Sequence, residues 1–291
     1  MEVKTLITPM ELAAIQEPET LVIIDTRAPE EYAVSHIPGA VNIREIFTYL
    51  WTSTPEGLED LQQVFAELLG AAGLSGEEQA VIYEDAMTKG YGQSCRGYFL
   101  LKYLGYSQVT ILHGGYKSWQ SAGLPTTSEV PTPQKKSFPL NVDPSIMITK
   151  EEMLLSLSNP EIVKLDNRDY DEWVAASSSP YGVDFCPRKG RIPGAVWIEW
   201  YRLMVPDSEV PVFRPKEEIL EICNEVGITP DSTVYVYCFK GSRASNTLIA
   251  LKEAGIKNVR NYFGSWNEWS RDPSLPIEVG EPDAQPMTAR V

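Results

Sequence analysis

Residues 21–41, LVIIDTRAPEEYAVSHIPGAV, run from an apolar stretch through Asp-x-Arg to the motif HIPGAV. The same order returns later in the chain, as IVKLDNR at residues 162–168 and RIPGAV at residues 191–196. Two further pairs match in the same order: LITPME with MITKEE (6–11 and 147–152), and LGYSQVTILHGGYKSW with AGIKNVRNYFGSWNEW (104–119 and 254–269). The chain therefore contains two copies of one structural unit.

Within each copy, short apolar strands alternate with helical patterns. Thr8 and Thr149 are each followed three residues later by Glu, the capping-box signature of a helix start. The patterns predict strands at residues 22–25, 80–83, 109–112, 163–166, 233–237 and 259–262, and helices at residues 58–72, 92–104, 215–226 and 244–254. This alternation predicts an α/β fold with two tandem domains, each a mainly parallel sheet flanked by helices on both faces.

The stretch between the copies predicts the domain boundary. Residues 125–144 contain five prolines together with Thr, Ser and Lys, a composition typical of a semi-extended surface linker. We therefore expect an N-terminal domain at residues 1–124, a linker at 125–145 and a C-terminal domain at 146–291.

The composition excludes several functional classes. The 291 residues carry 40 acidic and 25 basic side chains, a net charge of −15, which would repel phosphate backbones, so no nucleic-acid partner is expected. The longest apolar runs are strand-sized and the N-terminus has no signal-peptide stretch, so we expect a cytoplasmic protein with no membrane partner. The four cysteines form no CxxC pair and no zinc-ligand set, so neither a metal nor a cofactor is predicted.

Residues 233–255, TVYVYCFKGSRASNTLIALKEAG, carry the pattern most informative about chemistry. A predicted strand runs into Cys238, and a helix follows a loop made of Phe239, Lys240, Gly241, Ser242 and Arg243. In an open parallel sheet, the ligand site lies beyond the carboxyl ends of the strands. Gly241 permits a tight curl with N–H groups pointing inward, the helix adds its positive end, and Lys240 and Arg243 add two charges. These features favour a thiolate, so Cys238 is predicted to be a nucleophile in a locally positive pocket.

The other three cysteines have different settings. Cys95 and Cys223 lie within helical patterns and are predicted to be packing residues. Cys186 lies in a segment of about 14 residues that only the second copy has, and two interpretations remain open. It is either an incidental surface thiol or a resolving or regulatory partner for Cys238.

These motifs resemble the tandem-domain rhodanese sulfurtransferases: Asp-x-Arg, IPGA, a strand and loop with the cysteine in the second copy only, and Gly before a terminal Trp. The resemblance covers roughly residues 6–276. It implies two rhodanese-like domains in which Cys238 takes a sulfane sulfur from a small anionic donor such as thiosulfate, forming a persulfide. The sulfur then passes to cyanide or a thiol, and a thioredoxin- or glutathione-type reductant is a further partner that the resemblance allows.

The resemblance also implies roles in the first copy. Alignment of the two copies sets Asp85 opposite Cys238, so the first domain is expected to be a non-catalytic half that shapes the cleft between the domains. Asp25, Arg27 and His36 match motif positions, and the mercaptopyruvate branch of the family assigns catalytic roles to the corresponding Asp and His. The alternative for Asp25 and His36 is that they cap strand and loop backbone.

In the second copy, Asp166 and Arg168 are expected to support the active loop, either as a charge pair that braces it or by direct contact with substrate. Arg191 is a third supporting residue. Together with its neighbours Arg188 and Lys189, it is a candidate source of positive charge for the site.

The loop composition bears on the donor. Lys-Gly after the cysteine resembles the family members that use thiosulfate, whereas mercaptopyruvate users carry Cys-Gly-Ser/Thr-Gly. Two departures favour other interpretations: Phe239 replaces an Arg, and Glu172 stands where tandem enzymes usually have a substrate-binding Arg. Three alternatives therefore stay open, a 3-mercaptopyruvate sulfurtransferase, a persulfide carrier that serves a protein partner, and a Cdc25-type phosphatase. The last has a loop one residue longer, Cys-x5-Arg instead of the Cys-x4-Arg found here.

Overall fold

The computed structural model describes residues 3–15, 18–206 and 208–281, which divide into two compact units. The first unit takes in the described residues of 1–49, 55–144 and 207–212. The second takes in those of 50–54, 145–206 and 213–291. Each unit therefore includes a short segment from the other half of the sequence, which the repeat alone does not predict.

Within its described residues, the first unit has a five-stranded parallel sheet with the strand order β1-β5-β4-β2-β3. The strands are β1 (Leu6–Ile7), β2 (Leu21–Asp25), β3 (Val41–Asn42), β4 (Gln79–Tyr83) and β5 (Val109–Leu112). The flanking helices are α1 (Pro9–Ala13), α2 (Pro29–Val34), α3 (Glu45–Thr48), α4 (Pro55–Ala71), α5 (Gln93–Tyr103) and α6 (Gly115–Ser121), with a 3-10 helix at Pro18–Thr20.

The second unit repeats this architecture, with the parallel order β6-β10-β9-β7-β8 in its described residues. The strands are β6 (Met147–Ile148), β7 (Ile162–Asp166), β8 (Val196–Trp197), β9 (Thr233–Tyr237) and β10 (Val259–Tyr262). The helices are α7 (Lys150–Ser156), α8 (Tyr170–Trp173), α9 (Lys216–Asn224), α10 (Ser242–Glu253) and α11 (Ser265–Trp269), with 3-10 helices at Pro144–Ile146 and Trp200–Leu203.

The structure confirms the predicted α/β fold and the duplication. Both capping boxes are present, because the Thr8 and Thr149 hydroxyls each accept a hydrogen bond from the N–H three residues later at 3.2 Å. The central strands β4 and β9 are largely buried, which explains why they are continuous apolar runs in the sequence. No helix in the part of the chain that the structure describes is both long and apolar enough to cross a membrane.

The proline-rich segment between the copies runs along the first unit. Thr127 pairs with His36 through an isolated antiparallel bridge, and Phe138 is buried against Tyr106, with ring centroids 5.4 Å apart. Residues 125–143 form neither a helix nor a strand apart from this bridge, and Phe138 adds an apolar contact to this unit.

Candidate active site

Cys238 lies directly after β9, at the carboxyl end of the central strand of the second sheet. Its side chain is buried, and its Sγ accepts a hydrogen bond from the Gly241 N–H at 3.1 Å. Gly241 has a left-handed conformation (φ +83°) at the start of α10, so this N–H lies at the positive end of a 12-residue helix. The loop therefore curls around the sulfur and favours negative charge on it.

The curl depends on the lack of a side chain at Gly241. A Cβ at this position would lie 2.8 Å from the carbonyl oxygen of Phe263 and would overlap the Phe263 ring. That ring packs on Trp51, with ring centroids 3.9 Å apart. Sequence reasoning missed Trp51, because its segment belongs to the first copy in sequence and to the second unit in space.

The start of α11 fixes the backbone around Cys238. The Cys238 N–H donates to Oγ of Ser265 at 3.1 Å, and the Trp266 N–H donates to the Cys238 carbonyl at 3.0 Å. The Asn267 N–H donates to the carbonyl of Phe239 at 2.9 Å. The sequence motif draws attention to the Gly and Trp of GSW, whereas the contact with the cysteine is made by the Ser between them.

Arg243, which the sequence predicts as a positive charge near the thiol, is also held by two carboxylates. Its guanidinium donates to both carboxylate oxygens of Glu172, at 2.7 and 3.1 Å, and lies 2.9 Å from a carboxylate oxygen of Asp169. Burial alone would lower the pKa of Arg243, but Glu172 and then the Cys238 sulfur raise it. Carboxylates therefore compensate much of its charge, a pairing that the sequence does not predict, while the guanidinium still interacts with the Cys238 sulfur.

The remaining loop residues, Phe239, Lys240 and Ser242, are all buried. Nζ of Lys240 lies 5.6 Å from the ring centroid of Tyr181, the distance of a cation–π contact, and the ring of Phe239 lies 5.1 Å from the same ring. Tyr181 belongs to the inserted segment of the second copy. This segment therefore contacts the loop through an aromatic ring, in addition to any charge it contributes.

Asp166 and Arg168 form a buried pair at the end of β7, next to β9. Arg168 donates to Asp166 through Nε at 3.0 Å and Nη2 at 2.6 Å, and Nη2 also donates to the Gly190 carbonyl. The Tyr237 hydroxyl donates to Asp166 at 2.7 Å, immediately before Cys238. Burial alone would lower the pKa of Arg168, but the Asp166 carboxylate raises it. This geometry matches the bracing interpretation of the pair.

The cations of the inserted segment bind backbone carbonyl groups. Arg191 donates to the carbonyls of Trp173 and Gly280 and forms an ion pair with Glu278 at 3.3 Å. Arg188 donates to carbonyls at and beyond the end of α11 (Trp269, Ser270, Asp272 and Leu275), and Lys189 donates to that of Ala176. These contacts hold the inserted segment in place, so the structure gives no support to the idea that the three cations replace the missing charge at the loop.

The other three cysteines are buried, and no disulfide links the cysteines, all of which lie in the described residues. The prediction of a surface location for Cys186 is wrong, because it lies in the apolar cluster that includes Phe239 and Tyr237. Burial raises the pKa of Cys186 to about 11 and that of Cys223 to about 12. Both therefore stay as thiols at neutral pH.

The residue of the first copy that corresponds to Cys238 is Glu84, and the predicted counterpart Asp85 is one residue too late. Tyr83 pairs with Asp25 in register as Tyr237 pairs with Asp166, and Tyr116 N–H donates to the Glu84 carbonyl as Trp266 N–H does to that of Cys238. The hydrogen bonds between the two tyrosine hydroxyls and their aspartates mark this register, which the apolar pattern of the sequence alone does not show.

Glu84 occupies a cradle like the one around Cys238. Its carboxylate accepts hydrogen bonds from the Gln93 N–H at 2.9 Å and the Ser94 hydroxyl at 2.8 Å, at the start of α5. Burial raises the pKa of Glu84 to about 8, although these hydrogen bonds lower it. A carboxyl group thus stands where the second unit has its sulfur.

Asp25 and His36 are buried within the first unit. Asp25 binds Arg27 through two oxygens and accepts the Tyr83 hydroxyl at 2.6 Å. The His36 ring nitrogens lie 2.8 Å from the Tyr32 carbonyl and 3.0 Å from the Glu129 carbonyl. These contacts correspond to the backbone-capping alternative for His36 and to a bracing pair for Asp25.

The carboxylates that hold Arg243 also line an open pocket of about 370 Å³. Asp169 and Glu172 share it with Asp171 and Glu199, so its wall is acidic. Among the described residues, no group of three or more His, Cys, Asp or Glu side chains could hold a metal ion.

Comparison with known proteins gives consistent matches along the chain. The family described as Rhodanese-like domain matches residues 8–122 and 149–272. A thiosulfate sulfurtransferase of Pseudomonas aeruginosa is 29% identical over 94% of this chain and 96% of its own length. The sulfur carrier protein TtuD of Thermus thermophilus is 30% identical over 86% of this chain and 87% of its own. An EanB variant with ergothioneine covalently linked to a persulfide cysteine has a similar structure, with a TM-score of 0.80 and 25% identity over 96% of this chain and 70% of that one.

Proposed function

The chain belongs to the rhodanese family, and on that premise we propose that it is a sulfurtransferase that carries sulfur as a persulfide on Cys238. One observation carries the proposal: the Gly241 N–H donates to the Cys238 Sγ at 3.1 Å, at the positive end of α10. The same N–H can donate to the thiolate of Cys238 or to the outer sulfur of its persulfide, because both are anionic acceptors.

Thiosulfate is the donor that we propose. The Cys238 thiolate attacks the outer sulfur of thiosulfate, a new S–S bond forms, and the old S–S bond breaks as sulfite leaves with the electron pair. Cyanide or a thiolate then attacks the outer sulfur of the persulfide, and the Cys238 thiolate is released. Relatives named thiosulfate sulfurtransferase and the position of Lys240 in the loop support this choice.

The remaining loop residues take supporting roles in the proposal. Phe239, Gly241 and Ser242 shape the loop, Lys240 attracts the anionic donor, and Arg243 holds the loop to α8 through Glu172. The Asp166–Arg168 pair keeps the end of β7 against that of β9, and Arg191 fixes the inserted segment. The first unit, with Glu84 in place of the cysteine, does not carry sulfur.

A donor panel tests the choice of thiosulfate. The protein is incubated with thiosulfate, 3-mercaptopyruvate, a thiol persulfide or a phosphate ester, and the gain of one sulfur atom is followed by intact mass, with Cys238→Ser as the control. We expect the fastest gain with thiosulfate and none in the control. A gain of sulfur from 3-mercaptopyruvate alone would identify that compound as the donor instead of thiosulfate. Release of phosphate from the ester would indicate a phosphatase instead of a sulfurtransferase.

The pairing of Arg243 bears on the phosphatase alternative. A phosphatase loop needs its Arg to bind the phosphoryl oxygens. Here the guanidinium N–H groups already bind two carboxylates, at 2.7 and 2.9 Å, and so do not face outward as a bidentate clamp for phosphoryl oxygens. We therefore give the phosphate ester only the role of a negative control.

A specific observation favours a second candidate, delivery of sulfur to a protein thiol. Tyr181 and Phe185 of the inserted segment are 48% and 41% exposed, their ring centroids are 5.5 Å apart, and Tyr181 contacts Phe239 of the loop. Exposed aromatic rings beside a reactive group are typical of protein interfaces. A cysteine peptide should then be a better acceptor than cyanide, and Tyr181→Ser with Phe185→Ser should slow transfer to the peptide only.

A further inference from the structure

Ser265 has a backbone conformation that serines rarely adopt. Its φ is +55°, in the left-handed region, where L-residues other than Gly, Asn and Asp are strained. Three described residues other than glycine have positive φ, and Ser265 is the one that contacts the cysteine. Strain of this kind persists where the surrounding structure requires it, often at functional sites.

The first copy shows what this position requires without the cysteine. Gly115 of the first unit corresponds to Ser265, because each precedes the residue whose N–H binds the carbonyl of Glu84 or Cys238. Gly115 has φ +67°, and a Cβ there would lie 2.6 Å from the Glu84 carbonyl oxygen. The first unit thus has a glycine in this left-handed conformation, and the second unit has the same conformation with a serine side chain.

The hydroxyl of Ser265 has two defined partners. It donates to the Tyr262 carbonyl at 2.7 Å, which turns an oxygen lone pair toward the Cys238 N–H, and it accepts that N–H at 3.1 Å. The side chain is fully buried, so water does not compete for these bonds. They fix the peptide plane that leads into Cys238 and hence the direction of the Cα–Cβ bond that carries the sulfur.

We propose that Ser265 is a positioning residue for sulfur transfer, which holds Cys238 so that its sulfur meets the Gly241 N–H. The proposal rests on the proposed function of Cys238, and it adds a residue that acts through the backbone instead of touching the substrate. It also accounts for a serine at a position whose backbone conformation favours glycine, because the hydrogen bonds of the hydroxyl compensate for the strain.

The test compares Ser265→Gly with wild type and with Ala175→Gly. Glycine adopts positive φ freely, so Ser265→Gly removes the hydroxyl without adding strain. Ala175 is another strained residue of the second unit (φ +64°), and Ala175→Gly relieves strain without removing a hydrogen-bonding side chain. Two rates are measured: single-turnover persulfide formation from thiosulfate, and alkylation of Cys238 by iodoacetamide across pH. Urea unfolding gives the stability of each variant.

We expect Ser265→Gly to unfold near the wild-type urea concentration, because relief of strain offsets the two lost hydrogen bonds, yet to form persulfide about tenfold more slowly, the factor that corresponds to one hydrogen bond. Its kcat should fall while the KM for thiosulfate stays the same, and its alkylation profile should move relative to that of Ala175→Gly. Wild-type persulfide and alkylation rates in Ser265→Gly would overturn the proposal. If wild type itself forms no persulfide, the proposed function fails, and the alkylation profile still decides the role of Ser265.

Discussion

Substitution of Gly241 by alanine tests the loop geometry most stringently. Two effects are expected. An L-residue in the left-handed region costs about 1–2 kcal/mol, and the added Cβ would lie 2.8 Å from the Phe263 carbonyl oxygen and overlap the ring. Backbone or ring must move to make room, which adds about 1–3 kcal/mol.

Gly227 offers a matched control in the same unit. Its φ is +78° and a Cβ there would meet nothing within 4 Å, so Gly227→Ala carries the conformational cost alone. We expect Gly241→Ala to lower the free energy of unfolding by about 1–3 kcal/mol more than Gly227→Ala does. Urea unfolding of the two variants, followed by tryptophan fluorescence, measures the difference.

The same substitution should impair chemistry. The displaced loop no longer aims the Gly241 N–H at the Cys238 sulfur, and a hydrogen bond to a charged acceptor contributes about 1.5–3 kcal/mol. Persulfide formation should therefore slow by roughly 10- to 150-fold in Gly241→Ala and remain at the wild-type rate in Gly227→Ala. Equal stability losses in the two variants, together with an unchanged rate, would refute the reasoning.

Three further predictions concern buried charges and thiols. Glu172→Gln removes one of the two carboxylate partners of Arg243, so it should lower the free energy of unfolding in urea by about 1–3 kcal/mol and lower the KM for thiosulfate. An unchanged KM would show that the charge of Arg243 does not reach the donor. Burial raises the pKa of Glu84 from 4.5 to about 8, so the stability that its protonated form contributes is present at low pH and is lost as the pH rises through about 8. The free energy of unfolding of Glu84→Gln should therefore rise relative to that of wild type between pH 5 and 9, and a constant difference between the two would contradict this. Iodoacetamide at pH 8 should label Cys238 and leave Cys186 unmodified in the native protein, because burial raises the pKa of Cys186 to about 11; peptide mapping that finds both labelled would contradict it.

The fold could be predicted from the sequence because its signals are local and occur twice. The Thr8 and Thr149 capping boxes, the apolar strand runs and the IPGA motifs each report on a few neighbouring residues, and the second copy repeats the order of the first. The position of Cys238 after a central parallel strand follows from the same local pattern.

The electrostatics of the site could not be predicted in this way. Arg243 and Glu172 are 71 residues apart in the chain, so a loop that contains two cations in sequence can lose one to a distant carboxylate. Cys186 lies in a polar segment of the sequence but is buried in the same apolar cluster as Phe239, and Trp51 reaches Phe263 from the other half of the sequence. The equivalence of Glu84 and Cys238 depends on tyrosine hydroxyl contacts that form only in the folded chain.

Thiosulfate labelled in its outer sulfur provides the most direct test of the central claim. Wild type and Cys238→Ser are incubated with it without an acceptor, digested under non-reducing conditions and mapped by mass spectrometry. The account predicts label on the peptide that contains Cys238 and none in the variant. Label on the Cys95, Cys186 or Cys223 peptide of the wild type, or in the Cys238→Ser protein, would contradict it.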